Sequence, residues 1–435
     1  MSEEEKVDVC VVGAGPAGAT AALILARAGL DVMLFERGRY PGSKNVMGGI
    51  FYRQALEGII PDFAATAPME RPIAQQRLML MEGESTVEAS FRDESFARPP
   101  YNSFSILRAV FDKWFAEQAE AAGAFLINET TVESLLWEGS KVVGVRTGRA
   151  DGDMRCDVVI AADGVNSLLA KEARLHPEWK TDMVAIAVKE IIELDEQKIE
   201  DRFNLENGEG AACEFITDLT KGGLGLGFLY TNMETISLGI GVLLSDVVAR
   251  KLNPNDLIEA VKAQPGIRRY IAGGESKEYL AHLIPEGGYH AVPPVATDGL
   301  LLAGDAAMLV NSLHREGSNL AVESGRLAAE TVLEAKKLGN FTAAGGLASY
   351  KKKLAESFIM KDLHKYRDFF SYLHSKPKFL SEYPGLVMKV LREALTVEGE
   401  PKRDKQKRLM KEARRVRGPI GMAMDAWGLW RKFRG

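Results

Sequence analysis

The chain has 435 residues, 46% hydrophobic and 26% charged, with 42 glycines, 17 prolines and 3 cysteines, a globular balance that excludes a disordered, collagen-like or disulfide-rich protein. Cys10, Cys156 and Cys213 lie far apart and form no CxxC pair, ferredoxin-type run or zinc spacing, and six histidines show no HExxH or Cys/His cluster, so buried reduced thiols and no protein-bound metal are expected. The net charge of −5 is unevenly placed: residues 401–435 hold twelve Lys and Arg against three Asp and Glu, leaving the other 400 residues strongly acidic.

The N-terminus, MSEEEK, is acidic and passes straight into an apolar run without the features of a secretory signal, so a cytoplasmic protein is expected. Residues 9–26 are uncharged and long enough to consider as a membrane span, but Gly13, Gly15, Pro16 and Gly18 interrupt them. They read better as strand, tight turn and helix. VDVCVV at 7–12 is β-rich, ATAALILARAG favours helix with Gly29 as its stop, and DVMLFE at 31–36 is the next strand. This is a βαβ unit with a right-handed crossover.

A Gly-punctuated segment at 41–49 and a mixed region to about 105 follow. Residues 104–123 predict a helix with Val110, Phe111, Trp114, Phe115 and Ala119 as its apolar positions. Residues 124–148 read as short antiparallel strands and 157–164 as a buried strand. From about 180 to 290 the runs become longer and alternate with period two, as in an inserted sheet domain; 298–307 returns to the buried-strand style, and a helix runs from 318. The expected division is a nucleotide-binding domain over 1–180 and 296–345, a β-rich substrate domain over 181–295, and a helical basic region over 346–435.

GAGPAG at 13–18 supplies Gly13 for the turn, Gly15 for close approach to a diphosphate and Gly18 for helix–strand packing, with Ala17 between them. Glu36, followed by Arg37, ends the second strand near the offset at which a carboxylate reaches ribose hydroxyls. These residues indicate a dinucleotide and leave NAD or FAD open. Downstream, Asp163 and Gly164 follow one apolar strand, Gly304 and Asp305 follow another, and Gly317 opens the next helix.

A GxGxxG, a DG and a GD motif in that order resemble the flavoprotein hydroxylase and geranylgeranyl reductase superfamily. The resemblance implies an α/β fold: a Rossmann-type FAD-binding domain of the glutathione-reductase and hydroxylase kind, with an inserted mixed β-sheet substrate domain and a helical C-terminal region. It further implies that FAD binds extended, that Asp305 meets a ribitol hydroxyl, and that Gly317, Ser318 and Asn319 present amides to the flavin's pyrimidine end. Arg108 corresponds to an arginine over the diphosphate, and the Val132 backbone is expected at the adenine.

Within that superfamily, YPGSKNVMGGIFY at 40–52 resembles the G-x-K-N-x-x-G-G stretch of the FixC-type family, relatives of electron-transfer flavoprotein:quinone oxidoreductases. Lys44, Asn45, Gly48 and Gly49 are then expected against the flavin or the edge of a quinone, two adjacent glycines letting backbone pack on a flat ring. His314 precedes Gly317 and is equally consistent with a site group and with a loop-stabilising one. The resemblance implies a subunit that accepts electrons from an electron-transfer flavoprotein of alpha and beta subunits and reduces a membrane quinone, within a complex that bifurcates electrons. Since those relatives end in a cysteine-rich cluster domain that this chain lacks, a ferredoxin-like FixX-type subunit is implied as well. The basic tail, with Trp427, Trp430 and Phe433, is expected to dock on a partner or on the inner face of the cytoplasmic membrane, whereas nucleic acid suits the acidic remainder poorly. A geranylgeranyl reductase-like or aromatic hydroxylase-like enzyme using NAD(P)H, and a scaffold with a structural FAD, are the alternatives.

Overall fold

The computed structural model describes residues 6–45, 49–176, 179–206 and 208–435. It divides into two units: Met1–Pro72, Pro99–Val184 and His282–His364 form the first, and Ile73–Arg98, Ala185–Ala281 and Lys365–Gly435 the second.

In the first unit, the strand Lys6–Val12 lies parallel between Val32–Phe35 and Asp153–Ala161, and the sheet continues in parallel to Phe125–Ile127 on one side and Leu300–Leu302 on the other. Its strands are continuous apolar runs because both faces are covered; Val9, Val11, Leu34, Val158, Ile160 and Leu301 are all inaccessible. The helix Pro16–Arg27 starts with proline at a position where no amide bond is lost and stops before Gly29, whose φ of +83° suits glycine. The helix Ser318–Leu338 packs on it so closely that a Cβ at Gly325 would lie 2.2 Å from the Ala17 carbonyl oxygen.

The helix expected over 104–123 spans Arg108–Ala121, after a short strand Ser103–Ser105. Phe111, Phe115 and Ala119, spaced by one turn, are fully buried, whereas Val110 is 49% exposed because it projects to the other side. Residues 124–148 are not all antiparallel: only Val132–Glu138 and Lys141–Thr147 pair that way. Phe125–Ile127 joins the parallel sheet instead, since the intervening helix returns the chain in the same direction.

The second unit is built on a seven-stranded sheet, in the order Glu275–Pro285, Val184–Glu193, Thr235–Leu243, Gly225–Thr231, Gly210–Thr217, Ile73–Glu82, Ser85–Arg92. Ile73–Glu82 runs parallel to Gly210–Thr217. Residues 73–98, which the sequence division leaves in the nucleotide domain, therefore belong with this sheet; their pairing partners lie over a hundred residues away, where no local pattern reports them. One face of the sheet is covered by Ile199, Phe203, Leu257, Ile258, Val261 and Ile267 from three helices. On the other, Glu214, Phe228, Gly239 and Lys189 form one cross-strand row. The Phe228 ring lies over Gly239, 5.0 Å from Tyr230 and nearly parallel to it.

The region after 346 is helical, but its helices divide between the units. Tyr350, Leu354, Ile359 and Leu363 complete the first core. The helices from Phe369 to Arg434 belong to the second unit, where buried Asp425 accepts bonds from Tyr383 at 2.7 Å and Arg417 at 3.0 Å. Among the described residues, no helix is long and apolar enough to cross a membrane. Residues 9–26 are strand, turn and helix.

Candidate functional site

Four parallel strands ending side by side bring motifs almost 300 residues apart to one carboxyl edge. Val12 stands opposite Phe35 and Ala161, and Ala161 opposite Leu302. The turns that follow hold Gly13, Glu36, Asp163 and Gly304, at the position where doubly wound sheets bind ligands.

Gly13 has φ +98°, and a Cβ there would lie 2.3 Å from the Ala162 carbonyl oxygen, so the first turn presses directly on the DG turn. At Gly18 a Cβ would meet the Gly13 carbonyl oxygen at 1.8 Å. Gly15 differs: the nearest atom to its Cβ position is the Arg108 Nη2, 4.0 Å away. Backbone amides at the start of a twelve-residue helix thus open onto space bordered by a guanidinium. Such a cradle fits a diphosphate.

The Glu36 carboxylate accepts the Ala14 amide at 3.2 Å and the Gly38 amide at 2.6 Å, tying the glycine turn to the second strand. Two carboxylate oxygens retain further lone pairs for hydroxyl donors. Arg37 beside it is exposed. Val132, buried, starts its strand two residues after Thr130, whose amide bonds the Glu36 carbonyl.

Arg108 is 8% exposed and makes two 2.6 Å bonds to Asp112, one turn along its helix and 1% exposed. Burial pushes the Asp112 carboxyl up, against the pull of Arg108. Sequence reading singled out the arginine and missed the carboxylate that aims it, although their four-residue spacing is a helix-pair signal. Gly42, at φ +86°, abuts the Arg108 carbonyl, which sets the turn carrying exposed Lys44 and half-buried Asn45 beside this helix. Gly49 is buried and accepts the Ile106 amide at 2.8 Å. Gly48 lies outside the described residues.

The Asp163 carboxylate accepts the Ser167 hydroxyl at 2.7 Å and faces the Leu169 amide, capping the helix Leu168–Glu172. Gly164 has φ +81° and open space where a Cβ would stand. Gly304, at φ +63°, donates its amide to Ser324 at 2.9 Å and lies against Ala17. Burial pushes the Asp305 carboxyl up to about 6, with the Arg108 charge holding it lower than burial alone would. Gly317 stands at the N-terminus of the 21-residue helix beginning at Ser318, with no side chain capping it. Asn319 is buried and bonds Glu316.

His314 sits in a separate turn closed by Asn311 and Glu316, its amide 3.4 Å from Asn311 Oδ1 and Arg315 beyond it at φ +57°. Glu286, unremarked in the sequence, has its carboxyl pushed up to about 7 by burial, partly offset by the Ser312 hydroxyl. No periodicity or motif marks it; only the fold brings it beside that turn. The three thiols are free and buried.

Residues 6–201 match the FAD binding domain family. The fold matches that of a geranylgeranyl bacteriochlorophyll reductase-like protein from Thermoplasma acidophilum with a TM-score of 0.72, 20% identity and coverage of 95% of this chain and 100% of that one. A flavin-dependent brominase matches with a TM-score of 0.64, 18% identity and coverage of 90% and 92%. The cradle suits FAD, and the chain is an FAD-dependent oxidoreductase. Residues 352–434 match the ETF-QO/FixC family C-terminal domain. Protein FixC of Azotobacter vinelandii is 47% identical over 98% of this chain and 99% of its own, and Protein FixC of Azorhizobium caulinodans is 44% identical over 99% and 100%. A probable electron transfer flavoprotein-quinone oxidoreductase of Escherichia coli is 40% identical over 97% and 98%. The chain belongs to the FixC family.

Proposed function

We propose that this protein is the quinone-reducing subunit of an electron-transfer flavoprotein:quinone oxidoreductase system, taking electrons from an electron-transfer flavoprotein of alpha and beta subunits and passing them to a membrane quinone. The observation that carries this reading is the match of residues 352–434 to the ETF-QO/FixC family C-terminal domain, in a chain whose glycine turn at 13–18 forms a cradle suited to FAD. The similarity to the E. coli relative named for that reaction supports it.

In this reading Gly13, Gly15, Ala17 and Gly18 hold the diphosphate with Arg108, and Glu36 and Val132 hold the adenosine end. Gly164, Gly304 and Asp305 line the ribitol. Gly317, Ser318 and Asn319 face the pyrimidine end, where a helix N-terminus stabilises negative charge. Bound FAD supplies redox chemistry that accepts electrons singly and delivers a pair. Lys44, Asn45, Gly48, Gly49 and His314 hold the flavin edge and the quinone. Glu286, whose carboxyl burial pushes up to about 7, offers a proton donor for a quinone that takes two protons with its two electrons.

A FixX-like ferredoxin subunit would bring an iron–sulfur cluster, and the assembly would bifurcate electrons at the partner's flavin. The test is anaerobic absorbance of the purified chain. The FAD band should keep its intensity with NADH or NADPH alone, bleach with reduced electron-transfer flavoprotein, and recover on adding a short-chain quinone. Direct bleaching by a nicotinamide would instead place the protein with the reductases or hydroxylases.

We further propose docking on the inner face of the cytoplasmic membrane through the last helix, Pro419–Arg434. Ile420, Met424, Trp427 and Trp430 are 78, 65, 62 and 47% exposed, and Trp427 stacks on Trp430 at 5.0 Å. Apolar anchors beside Arg431 and Arg434 suit an anionic lipid surface. Trp427→Ser with Trp430→Ser should abolish most sedimentation with anionic vesicles while FAD stays bound; undiminished sedimentation would remove this helix from the membrane contact.

A further inference from the structure

Three segments proposed to hold different parts of FAD meet at one buried joint, behind the turn that carries Gly304 and Asp305. The Gly304 amide donates to the Ser324 hydroxyl oxygen at 2.9 Å, and that hydroxyl gives its own proton to the Ala321 carbonyl, also at 2.9 Å. Ser324 is fully buried, so its hydroxyl stands in for water as the acceptor of this amide. One residue further, Gly325 lets the helix Ser318–Leu338 close onto the Ala17 carbonyl, and a Cβ at Gly304 would lie 3.0 Å from the Ala17 Cβ. Tyr350, from the helix Ala348–Glu356, is also fully buried. Its hydroxyl donates at 2.8 Å to the carbonyl of Leu302, the last residue of its strand, and lies 3.4 Å from the Ser324 carbonyl. Burial pushes that hydroxyl up, so it keeps its proton and remains a donor.

We propose that Ser324 and Tyr350 are positioning residues for the flavin: they fix the helix Ser318–Leu338 against the GD turn, so that its N-terminus stays at the pyrimidine end while Asp305 stays at the ribitol. Both hydroxyls are spent on backbone groups, and Ser324 stands six residues after Ser318, about 9 Å along the helix axis. They act through the turn and the helix. Without the Ser324 hydroxyl the Gly304 amide is buried with no acceptor, and the turn and helix must shift apart to satisfy it. The two redox states feel that shift unequally. The oxidised ring is neutral, whereas the reduced ring at neutral pH holds negative charge at its pyrimidine end, where a helix N-terminus stabilises it. A displaced helix weakens the hold on the reduced form more than on the oxidised one, which lowers the reduction potential.

This inference rests on the placement of the GD turn at the ribitol and of Gly317 at the pyrimidine end, and the experiment separates the two. The midpoint potential of the holoenzyme is measured against a reference dye during slow anaerobic reduction, and the dissociation constant of oxidised FAD by flavin fluorescence. Ser324→Ala should weaken binding of reduced FAD about tenfold more than binding of oxidised FAD, read as a potential about 30 mV lower for the two-electron couple. Tyr350→Phe keeps the ring in the core and loses only the hydroxyl. It should lower the potential in the same direction, and it carries the test if Ser324→Ala fails to fold. An unchanged potential in either variant, with stability alone reduced, removes that residue from the positioning role and leaves it as core packing. Undiminished FAD affinity in Asp305→Asn would instead overturn the placement of the GD turn itself.

Discussion

Arg108→Ala is expected to lose FAD and to destabilise the first unit together, and a second substitution should separate the two effects. The guanidinium is bound at both ends of its fork by Asp112, which is 1% exposed and has no water to fall back on. Removing one partner of such a pair strands a buried charge, at a cost of about 3–5 kcal/mol. Replacing both partners removes the stranded charge, so Arg108→Ala with Asp112→Ala should regain much of the stability. It should not regain FAD, because the cation proposed for the diphosphate is still missing. Denaturant unfolding of the FAD-free chain and flavin content after gel filtration measure the two quantities. Stoichiometric FAD in Arg108→Ala would make the pair purely structural, and equal stability of the single and double variants would show that Asp112 is not stranded. Arg108→Lys should fall between, since a point charge cannot reproduce the two-armed bond.

Asp305→Asn should stabilise the FAD-free protein at high pH while weakening its grip on FAD. The carboxyl titrates at about 6 in the fold and near 3.8 in the unfolded chain. The folded state therefore binds the proton more tightly. The stability this contributes is present below about pH 4 and is lost as pH rises through 6, up to ~3 kcal/mol for a shift of about two pH units. Asparagine carries no charge to bury, so the variant should gain on the wild type by up to that amount at pH 8 and by little at pH 4. The same change removes a charged acceptor proposed to hold a ribitol hydroxyl, a bond worth about 1.5–3 kcal/mol, or roughly ten- to a hundredfold in affinity. Denaturant unfolding at the two pH values, with flavin fluorescence for affinity, tests both parts. No gain at pH 8 would mean the Asp305 charge is compensated without FAD.

Both predictions show which parts of the site were legible. Gly13, Gly15 and Gly18 are readable because a strand, a tight turn and a helix follow one another in eighteen residues, and each glycine answers a local constraint. Glu36 is readable for the same reason, at the end of the next strand. The GD motif and the helix after Gly317 are equally local. Asp163 illustrates the limit: the motif marks its position, but the structure shows its carboxylate capping the helix Leu168–Glu172, through Ser167 and Leu169. Asp112 was one helical turn from a residue already singled out and still went unnoticed, because a single carboxylate in a charged helix looks like any surface pair. Glu286 carries no motif at all.

The tail shows the same limit in charge. Twelve basic residues against three acidic ones suggest a uniformly cationic end, yet Arg408 pairs with Glu393 and Glu400, Lys432 with Asp368, and Arg415 with Glu412. What remains distinctive is the exposed face holding Ile420, Met424 and Trp427, not the net charge alone.

By itself the sequence determined the nucleotide unit, its cofactor class and its family, because those depend on short-range turn chemistry and on motifs whose order survives along the chain. Only the tertiary structure decided that residues 73–98 pair with a strand at Gly210–Thr217, that the C-terminal helices divide between two units, and that the Gly13 turn presses on the DG turn at Ala162. Those outcomes depend on strand register and burial between segments far apart in sequence, and neither quantity is written in any local stretch of residues.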